Sequence, residues 1–236
     1  MATALITGAA KRLGKEMALF LAKQGWNIAI HYNNSKYDAE KVMLSCKDFG
    51  VDSDIFKSDL LEYKNSAELI DSVSKRFPDL SILINSASVF LRNPLLNTDY
   101  EQFEQNFNIN FTSPYFLSKE FAKKVSSGNI INILDTKIAF SHHVYSSYSL
   151  SKKVFGEFTR MAALELAPHI RVNGIAPGVI LPPEGKDEEY LNRLINNVPL
   201  KKRGYPINIL KTLDFLLDND FITGQIIFVD GGENIK

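Results

Sequence analysis

Seven short runs of consecutive apolar residues punctuate the chain: TALIT (3–7), WNIAIHY (26–32), DSDIFK (52–57), LSILIN (80–85), GNIINIL (128–134), IRVNGIA (170–176) and QIIFVD (225–230). Most are rich in Ile, Val and Leu on adjacent positions, which is the mark of strands covered on both faces. Between them lie helix-like stretches: Leu13–Gln24, Lys36–Phe49, Ser66–Phe77, Tyr100–Val125 with an interruption near Pro114, and Tyr148–Ala167. This rhythm predicts βαβ units with right-handed crossovers, and so a doubly wound parallel α/β sheet of about seven strands with helices on both faces. Ligands of such sheets bind beyond the carboxyl ends of the strands, which makes the residues just after each run the candidates for function.

The first such place is ALITGAAKRLG, residues 4–14. Gly8 follows the strand and Gly14 falls where the next helix packs down. Glycine lets backbone approach a pyrophosphate, and a helix N-terminus offers it free N–H groups, as in Rossmann-type sites. Arg12 stands in that turn where another glycine would be expected. After the second run, an NAD site presents Asp or Glu to the ribose 2′-OH. This chain instead has His31, Tyr32, Asn33, Asn34 and Ser35, with Lys11 in the facing loop. A missing carboxylate beside a cation favours a 2′-phosphate, and hence NADPH. Asp59, after the third run, would accept from an adenine amino group or cap a helix.

Tyr148 and Lys152, in YSLSK, lie four residues apart and so on one helical face. A phenol is a poor acid near neutrality until a cation stabilises its phenolate. Lys152 would do that while holding ribose hydroxyls. Asp135 ends INILD, after the fifth run, and Asn110 sits in the interrupted helix, where its amide would hold a water.

Composition narrows the picture by exclusion. The 236 residues are 45% hydrophobic and 23% charged, and 27 Lys+Arg balance 27 Asp+Glu. Zero net charge leaves no footprint for nucleic acid or a membrane surface. A single cysteine, Cys46, forms no internal disulfide, which fits a cytoplasmic protein. The N-terminus lacks a signal-peptide pattern, and no run reaches the ~18 apolar residues of a membrane span. No linker divides the chain, so residues 1–236 are expected to form one dinucleotide-binding domain with a substrate loop near 179–205. No metal-ligand spacing is present; His142 and His143 read as polar loop residues.

Taken together, these landmarks resemble the short-chain dehydrogenase/reductase family over essentially the whole length, and within it the pteridine and dihydromonapterin reductases. The matching residues are Thr7–Gly14, Asp59, Asn85–Ala87, Asn110, Tyr148 with Lys152, Pro177–Gly178 and the closing TGQIIFVDGG. The resemblance implies an NADPH-dependent reductase whose catalytic set is Asp135, Tyr148 as proton donor, Lys152 as its pKa partner and Asn110 as part of a relay. It implies a cofactor site built from Gly8, Lys11, Arg12, Leu13, Asn34, Ser35, Asp59, Leu60, Asn85, Ala87, Tyr148, Lys152, Pro177 and Gly178. It implies a homotetramer formed through the helices near Tyr100–Val125 and Tyr148–Ala167.

Three positions are narrower than the family pattern. Arg12 replaces the middle glycine, Asp135 replaces the usual serine, and Phe90 follows NSAS. Ketone reduction builds negative charge on oxygen, which a carboxylate opposes. Reduction of a ring C=N needs a proton at nitrogen, which Asp135 and Tyr148 would share. Phe90 would hold a flat bicycle by stacking, and Arg12 would bond both pyrophosphate and substrate. The expectation is therefore reduction of a dihydropterin, with dihydrofolate as a further candidate, and Arg12, Phe90, Asp135 and Tyr148 as substrate contacts. Alternatives stay open: Asp135 paired with Lys137, Phe90 as ordinary core, and Arg12 touching phosphate alone. At the level of function they are a carbonyl reductase such as a 3-oxoacyl-carrier-protein reductase, or a dinucleotide-binding regulator without turnover.

Overall fold

The apolar runs become strands because consecutive large side chains feed two cores at once. Side chains alternate across a strand, so Ala4, Ile6, Ile28, Ile30, Ile82, Ile84 and Ile131 enter one layer. Leu5, Ala29, Leu83, Ile130 and Val172 enter the other. A fully buried Leu or Ile removed from water contributes about 2 kcal/mol, so a slip of one residue in register would exchange both layers at great cost.

In this computed structural model, which describes residues 2–182 and 188–235, the strands are β1 (Thr3–Ile6), β2 (Asn27–Tyr32), β3 (Ser53–Lys57), β4 (Leu80–Asn85), β5 (Gly128–Ile133), β6 (Ile170–Pro177) and β7 (Ile226–Val229). All pair in parallel, in the order β3–β2–β1–β4–β5–β6–β7. The first layer is covered by α1 (Arg12–Lys23), α2 (Lys36–Lys47) and, late in the chain, a helix over Pro206–Asp218. The second is covered by α3 (Asn65–Arg76) and by two helices over Ser113–Lys124 and Ser146–Leu166. The order reverses between β1 and β4, which opens a crevice at their carboxyl ends.

Three features depart from the sequence reading. The long helix near Tyr100–Val125 is α4 (Tyr100–Phe107), one wide π turn over Asn108–Thr112, and α5 (Ser113–Lys124). The interruption therefore lies upstream of Pro114. That proline sits in the first turn of α5, where its missing N–H costs nothing. After α6 (Ser146–Leu166), a short helix α7 (Glu188–Ile195) occupies part of the substrate-loop region. Residues 183–187 of that region, and the side chains of Tyr190 and Leu191, lie outside the described residues. Helix α8 (Pro206–Asp218) adds an element to the expected set: Pro206 opens it, and Ile209, Leu210, Leu213 and Leu216 form its buried stripe.

Candidate active site

The crevice is built first by the glycine turn. Thr7 Oγ1 accepts the N–H groups of Ser86 and Ala87 at 2.9 and 3.0 Å, which ties the end of β1 to the end of β4. Gly8 has φ +66°, and a Cβ there would meet Ala87 Cα at 3.0 Å. A Cβ on Gly14 would lie 2.4 Å from the Gly8 carbonyl oxygen, so α1 seats directly on the turn. Gly14→Ala is expected to cost about 2 kcal/mol of stability, since the blocking atoms are backbone. A denaturant melt measures this, and an unchanged midpoint would mean that the turn yields freely.

Helix α1 begins without a side-chain cap and without an acid in its first turn. Its free N–H groups are thus available to an anion. Beside them lies a cavity of about 360 Å³. Gly8, Lys11, Arg12 and Leu13 line one wall, His31, Asn33, Asp59 and Leu60 a second, and Ser86–Val89 with Ile109 and Ile133 the third. A cradle that a single Cβ would fill, next to an uncapped helix end, fits the pyrophosphate of a dinucleotide.

Several side chains are not placed as the sequence suggested. Asn85 turns into the sheet, where its Nδ2 donates to Asn132 Oδ1 at 2.9 Å and to Ser118 Oγ at 3.3 Å. The cavity wall is formed by the residues after it. Asn34 and Ser35 do not line the cavity either, because the chain turns there toward α2. Asn33 takes the place and donates to Asp59 Oδ1 at 3.1 Å. The same oxygen accepts from Leu61 N at 3.0 Å, so Asp59 pins the turn after β3 as well as facing the cavity. Lys11 is paired at 3.3 Å with Asp38, in the first turn of α2. Arg12 holds a left-handed conformation (φ +52°), and its guanidinium donates to the Pro182 carbonyl at 2.6 Å, 170 residues along the chain. It thus straps the turn to the segment that follows β6.

The candidate catalytic side chains gather beyond β5. Asp135 Oδ1 accepts from Lys137 N at 2.8 Å, and its Oδ2 accepts the Tyr148 hydroxyl at 2.6 Å. Lys137 Nζ stands 3.6 Å from Asp135 Oδ1, so the carboxylate has both the partners considered for it. The Phe90 ring stacks on Tyr145 at 4.4 Å and meets Tyr148 edge-on at 4.7 Å, with Lys137 Nζ 5.5 Å from its centre. His142 flanks the same Tyr145 at 5.3 Å.

The expected lysine–phenol couple is inverted. Lys152 is buried (2% exposed) and donates to the Ile133 carbonyl at 2.9 Å rather than to Tyr148. Burial lowers its pKa to about 8, opposed by the attraction of Asp135. Burial, then the Asp135 charge and hydrogen bond, raise the Tyr148 phenol well above its ordinary value. Burial first, and then the unfavourable meeting of two negative charges, keep the phenol protonated.

Asn110, 0% exposed, spends its amide on protein. Its Oδ1 accepts from Ser88 Oγ and Val89 N, and its Nδ2 donates to the Val89 carbonyl and to Ser151 Oγ. The wide turn aims it at these partners, and it braces the cavity wall against α6. Pro177 and Gly178 lie outside the cavity lining. A Cβ on Gly178 would sit 2.6 Å from Asp230 Cβ, and Asp230 in turn accepts from Thr136 Oγ1 at 2.6 Å. The glycine lets the C-terminal turn press against the segment that carries Asp135.

Residues 8–234 match the family model described as enoyl-(acyl carrier protein) reductase. A 3-oxoacyl-(acyl-carrier-protein) reductase FabG of Staphylococcus aureus (strain N315) is 30% identical over 238 residues, covering 98% of this chain and 97% of its own length. Among solved structures, FolM alternative dihydrofolate reductase 1 from Brucella canis, complexed with NADP, has a TM-score of 0.93 at 31% identity, over 100% of this chain and 95% of its own. Acetoin dehydrogenase from Enterobacter cloacae has a TM-score of 0.90 at 27% identity, over 99% and 96%. A match that runs through the glycine turn, the Tyr148–Lys152 helix and the C-terminal turn means that the chain belongs to the short-chain dehydrogenase/reductase family of nicotinamide-dependent oxidoreductases.

Proposed function

We propose that the chain reduces a pterin with NADPH, taking a dihydropterin to its tetrahydro form. One observation carries the reading: the Asp135 carboxylate is bonded to the Tyr148 phenol, with Phe90 against the same ring. Addition across a ring C=N needs a hydride at carbon and a proton at the adjoining nitrogen. The bound cofactor supplies the hydride. The proton passes to nitrogen through the Asp135–Tyr148 pair, or from a water that it orders, and solvent replaces it, so that the pair ends the cycle as it began. A carboxylate so close to the reacting atom would oppose the alkoxide of a ketone reduction. The likeness to the FolM alternative dihydrofolate reductases of Brucella, solved with NADP, supports the same reading.

In this proposal the Gly8 turn and the α1 N-terminus hold the pyrophosphate, and Asp59 and Leu60 border the adenine. Lys152 and Tyr148 hold the nicotinamide ribose. Lys11 exchanges Asp38 for the 2′-phosphate. Arg12 lies between pyrophosphate and substrate, and a flat bicycle rests on the Phe90 face away from Tyr145.

A second reading, 3-oxoacyl-carrier-protein reduction, is favoured by the FabG relatives. NADPH oxidation by the purified chain separates the two. Turnover is expected with dihydrobiopterin, dihydromonapterin or dihydrofolate, and little with acetoacetyl thioesters. The reverse result rejects the pterin assignment, and tight NADPH binding without turnover on either panel leaves a binding protein.

Assembly as a homotetramer is proposed on a separate observation. Leu150, Val154, Met161 and Leu164 are exposed on one face of α6, with Leu164 84% accessible. Such a stripe is the kind of apolar patch that a second copy covers. Leu164→Glu combined with Met161→Glu is expected to shift the species seen by light scattering toward smaller assemblies; an unchanged mass would place the interface elsewhere.

A further inference from the structure

His31, near the end of β2, is held on three sides by groups distant in sequence. The Gly8 N–H donates to its Nδ1 at 3.1 Å, its Nε2 lies 3.0 Å from the Ser58 carbonyl, and the Ala9 N–H donates to its own carbonyl at 3.0 Å. Only 2% of the residue is exposed, yet it contributes to the cavity wall.

These partners settle the tautomer. A backbone N–H only donates, so Nδ1 carries no proton; Nε2 carries it and donates to Ser58. Burial supports the same state by lowering the pKa to about 4. Protonation of Nδ1 would set two donors face to face.

We infer that His31 is a positioning residue for the cofactor site, which sets the peptide plane of Gly8 and clamps the glycine turn to the corner that carries Asp59. Both N–H groups at the start of the turn are consumed by this one residue, so the anion-facing donors are left to the start of α1. The Ser58 bond fixes the opposite wall, since Asp59 and Leu60 follow at once. His31 touches neither substrate nor the reacting atoms, so its effect falls on cofactor affinity.

This inference rests on the cofactor reading, and its test separates the two. NADPH is titrated by fluorescence into the wild-type chain, His31→Ala, His31→Asn and His31→Gln, and kcat at saturating NADPH is measured for each. Asn places its Oδ1 near the position of Nδ1, whereas Gln places its Nε2 near that of the ring Nε2. His31→Ala is expected to weaken NADPH about tenfold, the scale of one buried hydrogen bond, with kcat changed less than about threefold. His31→Asn is expected to regain most of the affinity, and His31→Gln much less. If His31→Ala fails to fold, the contrast between Asn and Gln carries the test. Wild-type affinity in all variants, a loss confined to kcat, or an Asn variant no better than Gln would overturn the role of His31 alone. Failure of the wild type to bind NADPH would overturn the cofactor reading and this inference with it.

Discussion

Asp135→Ser is expected to lower kcat for dihydropterin reduction by about two to three orders of magnitude, the range typical of a lost proton-transfer group, while the Kd for NADPH stays within about threefold. The carboxylate is the acceptor of the Tyr148 hydroxyl at 2.6 Å, and its negative charge is among the causes that keep the phenol protonated. A serine hydroxyl is neutral and shorter. It would restore the arrangement usual in the family for carbonyl reduction, but would no longer share a proton with the phenol. The alkaline limb of kcat, set by Lys152 near pH 8, should move to lower pH in the variant, because the Asp135 charge that raises the Lys152 pKa is gone. NADPH oxidation across pH, beside a binding titration, reads both effects. Equal losses of kcat and NADPH affinity would show that Asp135 maintains the fold instead, through its bond to Lys137 N.

The second large effect is expected at Lys152. Lys152→Met should reduce kcat by about a hundredfold or more, because the ammonium is placed where the ribose and the reacting end of the cofactor are proposed to lie. Its effect on stability runs the other way. The folded chain releases the Lys152 proton near pH 8, whereas the unfolded chain keeps it to about 10.5. Across that window the unfolded state binds more protons, so stability rises with pH, by about 3 kcal/mol in total from this group. Wild-type activity should therefore fall above pH 8 while the Lys152 contribution to stability grows. Cys46 and Tyr148 lose protons in this range only in the unfolded chain, since burial raises both in the folded one, but they are common to both proteins and cancel in the difference. Urea midpoints for wild type and Lys152→Met at pH 7.5 and 9.5 isolate the Lys152 contribution. Parallel pH curves would show that the buried lysine is not charged as described.

The elements were legible because one residue pattern served two layers. Ile28, Ala29 and Ile30 are adjacent in sequence and enter alternate cores, and only a strand covered on both sides has use for that run. The glycine turn was legible for a similar reason: Gly8 and Gly14 stand where any Cβ meets backbone. The α8 stripe is equally readable, since Ile209, Leu210, Leu213 and Leu216 recur at helical spacing after Pro206. The direction in which loop side chains point was not legible. Asn85 ends β4 and Asn33 follows β2, yet the first bonds into the sheet to Asn132 while the second faces the cavity. Spacing placed Tyr148 and Lys152 on one helical face, but the ammonium turned to a β5 carbonyl and the phenol to Asp135.

By itself, then, the order of residues determined the strand and helix sequence, the parallel sheet, the place of the crevice and the kinds of group around it. These follow from periodicity and from backbone sterics, which act over a few residues. The tertiary structure alone decided which partner each polar group found: Arg12 with Pro182, His31 between Gly8 and Ser58, Asp230 with Thr136. Those pairs are 23 to 170 residues apart, and a hydrogen bond depends on ångström-scale placement that no local pattern records.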